Sequence, residues 1–268
     1  MCTYHGFGVD PMIPASPFDS PHLAAALTAA LPGCDLFERL ALAARIPGRI
    51  VLTTSFGIED QALTHAVFTQ DLSVEVVTFD TGRLFPETHQ VWADTEARYG
   101  RRIRGLSPDR DGLEALVARQ GIDGFRASIE ARRACCDVRK VGPLGRALDG
   151  AAGWITGLRA EQSADRALAG FVVADRSYGV LKVSPLYDWT RDRVVDFVQG
   201  HKIPYNALHD HGFLSIGCAP CTRAVKPGEP ERAGRWWWEQ NDKKECGLHR
   251  HPANQIPNPV PTDTPEKV

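Results

Sequence analysis

No apolar run in this 268-residue chain approaches the roughly 18–20 residues needed to cross a bilayer. The first residues, MCTYHGFGVDPMIP, also lack the basic opening and apolar stretch of a secretory signal. An excess of positive charge is missing too: 31 Lys and Arg face 33 Asp and Glu, for a net charge of -2. That balance argues against a general nucleic-acid binder, whose affinity rests on surplus cations. Neither GxxxxGK[ST] nor GxGxxG occurs, so the two commonest phosphate loops are excluded. The cysteine count, seven, is odd, a poor basis for a disulfide framework in a chain with no signal. The expectation is a cytoplasmic protein that engages neither membrane nor nucleic acid. A homo-oligomer is compatible with all of this.

What is present is a 43% hydrophobic chain in which short β-rich runs alternate with helical patterns. Ile50–Thr54, Val74–Phe79, Arg102–Leu106 and Trp154–Gly157 read as strands. His22–Ala44 (broken at Pro32-Gly33), Asp60–Thr69, Pro86–Tyr99, Leu113–Arg119 and Thr190–Gln199 read as helices, the last capped by Thr190. Strands spaced by helices predict a mostly parallel α/β sheet with helices on both faces. The expected organisation is an N-terminal arm with helices over 1–45 and an α/β domain over 46–225. A C-terminal segment over 226–268 follows, irregular from His211 onward and ending in a Pro-rich tail.

In such sheets ligands sit beyond the carboxyl ends of strands, against helix N-termini. Two loops fit: Thr54-Ser55-Phe56-Gly57-Ile58-Glu59-Asp60, and Asp80-Thr81-Gly82-Arg83-Leu84-Phe85. Each is equally readable as a plain turn, but together in neighbouring βα units they suit a nucleotide. Arg159 follows a third strand end, and Arg232 and Arg235 would share one face of a helix, as an anion clamp. The Trp236–Trp238 run reads as packing.

The cysteines fall into distinct settings. Cys135-Cys136 and Cys218-Ala219-Pro220-Cys221 are four thiols in two tight groups, enough for a zinc site or an iron–sulfur cluster. Adjacent cysteines suit the larger cluster better than one compact ion. Arg132, Arg133, Arg139 and Lys140 would offset a cluster's negative charge, although for most of the four a solvated helix face is the simpler expectation. Cys246 stands apart, in NDKKECGLH, where Lys243, Lys244 and His249 would favour the nucleophilic thiolate. Cys2 and Cys34 have no such setting.

The motifs SFGIEDQ, FDTGRLFPET, CCDVRKVGPL, ITGLRAEQS, VSPLYDWT, IPYNALHDHGFLSIGCAPCT, GRWWWE and KKECGLH, taken in order, resemble the assimilatory adenylylsulfate reductases. These are the iron–sulfur-containing branch of the phosphoadenylylsulfate (PAPS) reductase family. The resemblance runs from about Ile50 to His249 and implies an adenine-nucleotide fold of the ATP-pyrophosphatase type. It implies a [4Fe-4S] cluster on Cys135, Cys136, Cys218 and Cys221, with Cys246 as the catalytic nucleophile. Substrate contacts would come from Ser55, Phe56, Gly57, Thr81, Gly82, Arg83, Leu84, Lys140, Arg159, Arg232, Arg235 and His249. Ala160 departs from many relatives, which carry a second basic residue there. The activity implied is reduction of adenosine 5′-phosphosulfate (APS) to sulfite and AMP in sulfate assimilation, through a thiosulfonate on Cys246. No further Cys follows Cys246, so resolution is expected from thioredoxin or glutaredoxin. The competing readings are a PAPS reductase or dual-specific enzyme, and a zinc-stabilised nucleotide-binding redox sensor. A tRNA thiolase would need an SGGxDS loop where this chain has SFGIED.

Overall fold

The computed structural model describes residues 21–239; Cys2, Cys246 and His249 lie outside the described residues. Six strands form one sheet: β1 (Arg49–Thr54), β2 (Glu75–Phe79), β3 (Arg104–Leu106), β4 (Ala151–Ile155), β5 (Val172–Asp175) and β6 (Val180–Val183). Their order is β3-β2-β1-β4-β6-β5. Every pairing is parallel except β5 with β6, an antiparallel edge hairpin absent from the sequence expectation. The helices are α1 (Pro21–Ala30), α2 (Leu36–Ala43), α3 (Ile58–Thr69), α4 (Pro86–Tyr99), α5 (Arg110–Gln120), α6 (Ile129–Cys136), α7 (Gly142–Leu148) and α8 (Arg191–Gly200).

Side chains alternate across a strand, and each central strand feeds two cores. Ile50, Leu52, Val76, Ile155, Leu181 and Val183 face the larger core, shared with α1–α4 and α8. Val51, Val77, Phe79, Trp154 and Val180 face the smaller one, closed by Leu144, Ala147 and Leu148 of α7. Helices therefore cover both faces. Caps fix several helix starts: Asp35 and Glu38 form a reciprocal capping box on α2, and Thr190 accepts from Arg193 N on α8, as the sequence indicates.

The segments expected at either end are packed into this body where they are described. Leu27, Leu31, Leu36 and Leu40 belong to the larger core. On the C-terminal side, Arg223 N donates to Gly234 O and Trp236 N to Cys221 O. The chain builds outward from β1 to β2 and β3, then crosses back to lay β4 on the other side of β1. The connections leaving β1 and β4 thus diverge, and the crevice between them is where this topology receives ligands.

Candidate active site

That crevice is a pocket of about 150 Å³. Thr53, Thr54, Ser55, Gly57, Glu59 and Asp60 come from the end of β1 and the start of α3. Thr78, Phe79, Thr81 and Leu84 follow β2, and Thr156, Gly157 and Leu158 follow β4. Lys140, Arg166, Arg232 and Arg235 add cations, and His209 lies in the opposite wall. Gly57 is the N-cap of α3 and gives its first turn no side-chain acceptor, the setting in which a bound anion is favoured.

Asp60 shapes the β1–α3 loop by accepting from Ser55 N at 2.6 Å and from Ser55 Oγ at 2.7 Å. Burial pushes its carboxyl up to about 6, against those two hydrogen bonds. Gly157 leaves the room this requires: a Cβ there would run into Asp60 Oδ1 and lie 3.0 Å from Glu59 Cβ. Phe56 takes a positive φ of 58° in the same loop, with its ring stacked on Trp92 at 5.6 Å. Its side chain is wholly buried, so Phe56 holds the loop from beneath and is not in the pocket wall.

A second, smaller cavity adjoins the first. Cys135, Cys136, Cys218 and Cys221 all line it, with Arg83, Arg132, Arg139, Lys140, Arg235 and Trp236. Lys140 and Arg235 line both cavities. Thr81, from the wall of the larger pocket, has its hydroxyl 3.2 Å from Cys218 Sγ, and Ala219 N donates to Arg83 O at 2.8 Å. The second of the two loops singled out in the sequence, 80–85, is therefore joined directly to the CxxC turn. At the end of α6 the chain continues as a π-helix, Asp137–Val141, before α7, an irregularity that often marks functional sites.

The cysteines sit in a cation-rich but dry setting. Burial raises the Cys135 thiol, with Arg139 opposing, and burial together with Cys218 raises Cys221 to about 11. Among the described residues, no group of His, Cys, Asp or Glu side chains converges as on a single metal ion. Three buried donors on residues of this cavity, Arg139 Nε, Arg235 Nε and Trp236 Nε1, have no acceptor among the described residues. Arg132 and Arg139 are buried, which corrects the solvated-face expectation for both; Arg133 alone is exposed. The reason is partners distant in sequence: Arg132 pairs with Glu239, and Arg139 donates to Thr81 O.

The structure gathers Ser55, Gly57, Thr81, Leu84, Lys140, Arg232 and Arg235 around the larger pocket. Gly82 lies at the surface at φ +68°. Arg83 turns to the cysteine cavity, pairs with Asp123 and covers the Phe125 ring. Arg159 is wholly buried behind the pocket and bridges Glu59 (2.9 Å), Glu161 (2.8 Å) and Glu231 (2.7 Å). Against the cost of burial, Arg159 holds Glu59 below the usual carboxylate range; burial and the Glu59 charge raise Glu231. Arg232 and Arg235 are brought together by turns, not by the helix considered for them, and Arg235 makes an isolated bridge to Thr222. Its guanidinium lies where a Cβ on Gly217 would be. Glu59, Asp60, Thr156, Gly157, Arg166 and Glu231 were not among the expected site residues; the strand-end rule was the signal that reaches the first four.

The chain matches the phosphoadenosine phosphosulfate reductase domain family over residues 49–224. It is 52% identical over 233 residues to a protein of Agrobacterium fabrum named adenosine 5′-phosphosulfate reductase, covering 87% of this chain and 90% of that one. A protein of the same name from Allochromatium vinosum is 48% identical over 213 residues, covering 80% and 83%. Among solved structures, the crystal structure of a PAPS reductase from Candida auris in a phosphate complex has a TM-score of 0.66 at 23% identity. It covers 77% of this chain and 98% of that one, and the likeness is one of fold.

Proposed function

The chain belongs to the phosphoadenosine phosphosulfate reductase domain family, and on that premise we propose that it reduces APS to sulfite and AMP, with a thiol donor. The observation that carries this reading is the sharing of Lys140 and Arg235 between a pocket at the β1/β4 crevice and a cavity walled by four thiols.

The four thiols would hold a [4Fe-4S] cluster. Two features support the fit: soft sulfur donors spread around a volume, and three buried N–H donors that sulfide or thiolate acceptors would satisfy. When bound, such a cluster would deprotonate its thiol ligands and set a fixed negative charge beside Lys140 and Arg235.

The residues of the chain account for the rest. Ser55, Gly57 and the start of α3 would receive the phosphate end of the substrate, and Lys140, Arg232 and Arg235 would neutralise the transferring sulfonate. Cys246, outside the described residues, would attack as thiolate. Its sulfur bonds to the sulfate sulfur while the bond from that sulfur to the phosphate oxygen breaks, and AMP leaves with the oxygen. A dithiol such as thioredoxin or glutaredoxin then attacks the Cys246 sulfur; sulfite departs with the electron pair, and the second donor thiol closes the donor disulfide. Arg159 would act at one remove, by fixing Glu59 and Glu231 in the pocket wall.

The test is the iron and acid-labile sulfide content of anaerobically purified protein, together with turnover on APS and on its 3′-phosphorylated form. About four irons per chain and a clear preference for APS are expected. Stoichiometric zinc with full activity would overturn the cluster, and equal efficiency on both nucleotides would make the enzyme dual-specific.

A further inference from the structure

The most buried ion pair in the described structure lies outside the pocket. Arg132, on α6 three residues before Cys135, meets Glu239, with side chains 2% and 5% exposed. The contact is two-pronged, from Nε and one terminal nitrogen to the two carboxylate oxygens. Beside this pair sits Trp236, 1% exposed, with Arg132 over its ring at 4.3 Å and Arg235 at 4.7 Å. Its backbone N donates to Cys221 O, and Glu239 N donates to Trp236 O. Trp236 also takes a φ of +43°, costly for a bulky residue and sustained only where the surroundings over-determine it.

These contacts fasten one short stretch, 235–239, to both cysteine-bearing elements: Cys221 through the backbone and α6 through the ion pair. Cys246 follows Glu239 by seven residues, so at most about 25 Å of extended chain separates it from the fastened point. A tether rooted this close raises the effective concentration of a nucleophile, and longer free tethers dilute it.

We propose that Arg132, Trp236 and Glu239 form an anchor for the root of the C-terminal segment and are positioning residues for Cys246. The proposal rests on the reading of Cys246 as nucleophile. It assigns a task that substrate binding does not need: the anchor sets the rate at which the thiolate reaches the sulfonate, not the affinity of the pocket.

The experiment compares full-length protein, with its metal content intact, to Glu239→Gln and to the double variant Arg132→Met/Glu239→Leu. The double change removes both charges together and avoids leaving one buried alone. Three quantities are read: the dissociation constant for AMP, the visible absorption of the cysteine site, and the single-turnover rate of sulfonate transfer from APS without reductant. Both variants should bind AMP within twofold of the parent, and Glu239→Gln, whose residue lines neither cavity, should keep its spectrum, while sulfonate transfer slows about fivefold or more in both. Glu239→Asp should recover part of the rate, and trypsin should cut at Lys243 or Lys244 faster in the two anchor variants than in the parent. Transfer within twofold of the parent in both variants would overturn the anchor. Loss of AMP binding or of the spectrum in both would overturn it as well, by making the pair a support of the fold. A sulfonate mapped to another cysteine in the parent would instead remove the nucleophile assignment underneath it.

Discussion

Single residues in the pocket carry charges that the topology alone would not set. Asp60 is held near 6 by burial, well above a free carboxyl, so the folded chain binds more protons than the unfolded one between about pH 4 and 6. Stability from this group is therefore present below pH 4 and lost as pH rises through 6. The difference approaches about 3 kcal/mol for a two-unit shift. In Asp60→Asn this dependence disappears. Urea unfolding at pH 4 and pH 7 should show the parent losing about 2–3 kcal/mol relative to the variant across that interval; parallel curves would mean Asp60 is not held protonated. Arg235 is the second informative residue. It is buried over Trp236, donates to Ile216 O and lines both cavities. Arg235→Ala should lower kcat/KM for APS by about 100-fold, through both KM and kcat, because one guanidinium serves bound substrate and reacting sulfur alike. The types of these residues were legible in the sequence. Their pairing was not: Arg132 with Glu239 and Arg159 with Glu231 join residues more than seventy apart, and no local pattern announces them.

Elements were read more fully than contacts. Pro86–Tyr99 agrees end to end with α4, because a proline at its start and Gly100 at φ +62° after its end punctuate it. The strands β1 and β2 stood out as apolar β-branched runs, whereas β4, Ala-Ala-Gly-Trp-Ile, begins three residues before the strand expected at Trp154–Gly157 because its small residues carry little strand signal. Two features escaped. The hairpin β5–β6 is formed by four-residue strands at the sheet edge, where the pattern is too short to register. The stretch from α6 through the π-helix to α7 is continuous helix despite Gly142 and Pro143; proline is tolerated there because it follows the π-to-α junction, where Gly142 N donates to Asp137 O and the regular i→i−4 ladder is already interrupted. At this scale the loops and the cysteines can be tested separately. Gly157→Ala should destabilise the protein by about 1–3 kcal/mol and weaken AMP binding, since the new methyl collides with Asp60. Calorimetric titration with AMP checks it, and unchanged binding would mean the β4 loop does not shape the pocket. Cys136→Ser and Cys221→Ser should each lose iron, sulfide and sulfite production while keeping AMP binding, because the larger pocket does not include them.

Across the whole molecule, the sheet order sets the function. The crevice between β1 and β4 opens on the start of α3, and the loop after β2 is tied to the CxxC turn through Thr81 and Arg83. The π-helix carries Arg139 and Lys140 to the same place. The larger pocket and the cysteine cavity thus adjoin through Lys140 and Arg235, and residues 235–239 are fastened at the edge of the cysteine cavity. This joint geometry could be foreseen only in outline, since the motifs are scattered from Ser55 to Cys246 and no one of them reaches the others in sequence. The relatives named adenosine 5′-phosphosulfate reductase set the expected preference: kcat/KM should be much higher for APS than for its 3′-phosphorylated form, and comparable values would contradict it. The central claim is that Cys246 takes the sulfonate directly. The measurement is a mass-mapped peptide digest of protein mixed with APS and no reductant, with AMP quantified in parallel. One sulfonate on the Cys246 peptide and one AMP per chain, both abolished in Cys246→Ser, are the predicted result. A sulfonate on Cys34, Cys135, Cys136, Cys218 or Cys221, or undiminished sulfite from Cys246→Ser under turnover with thioredoxin, would contradict it.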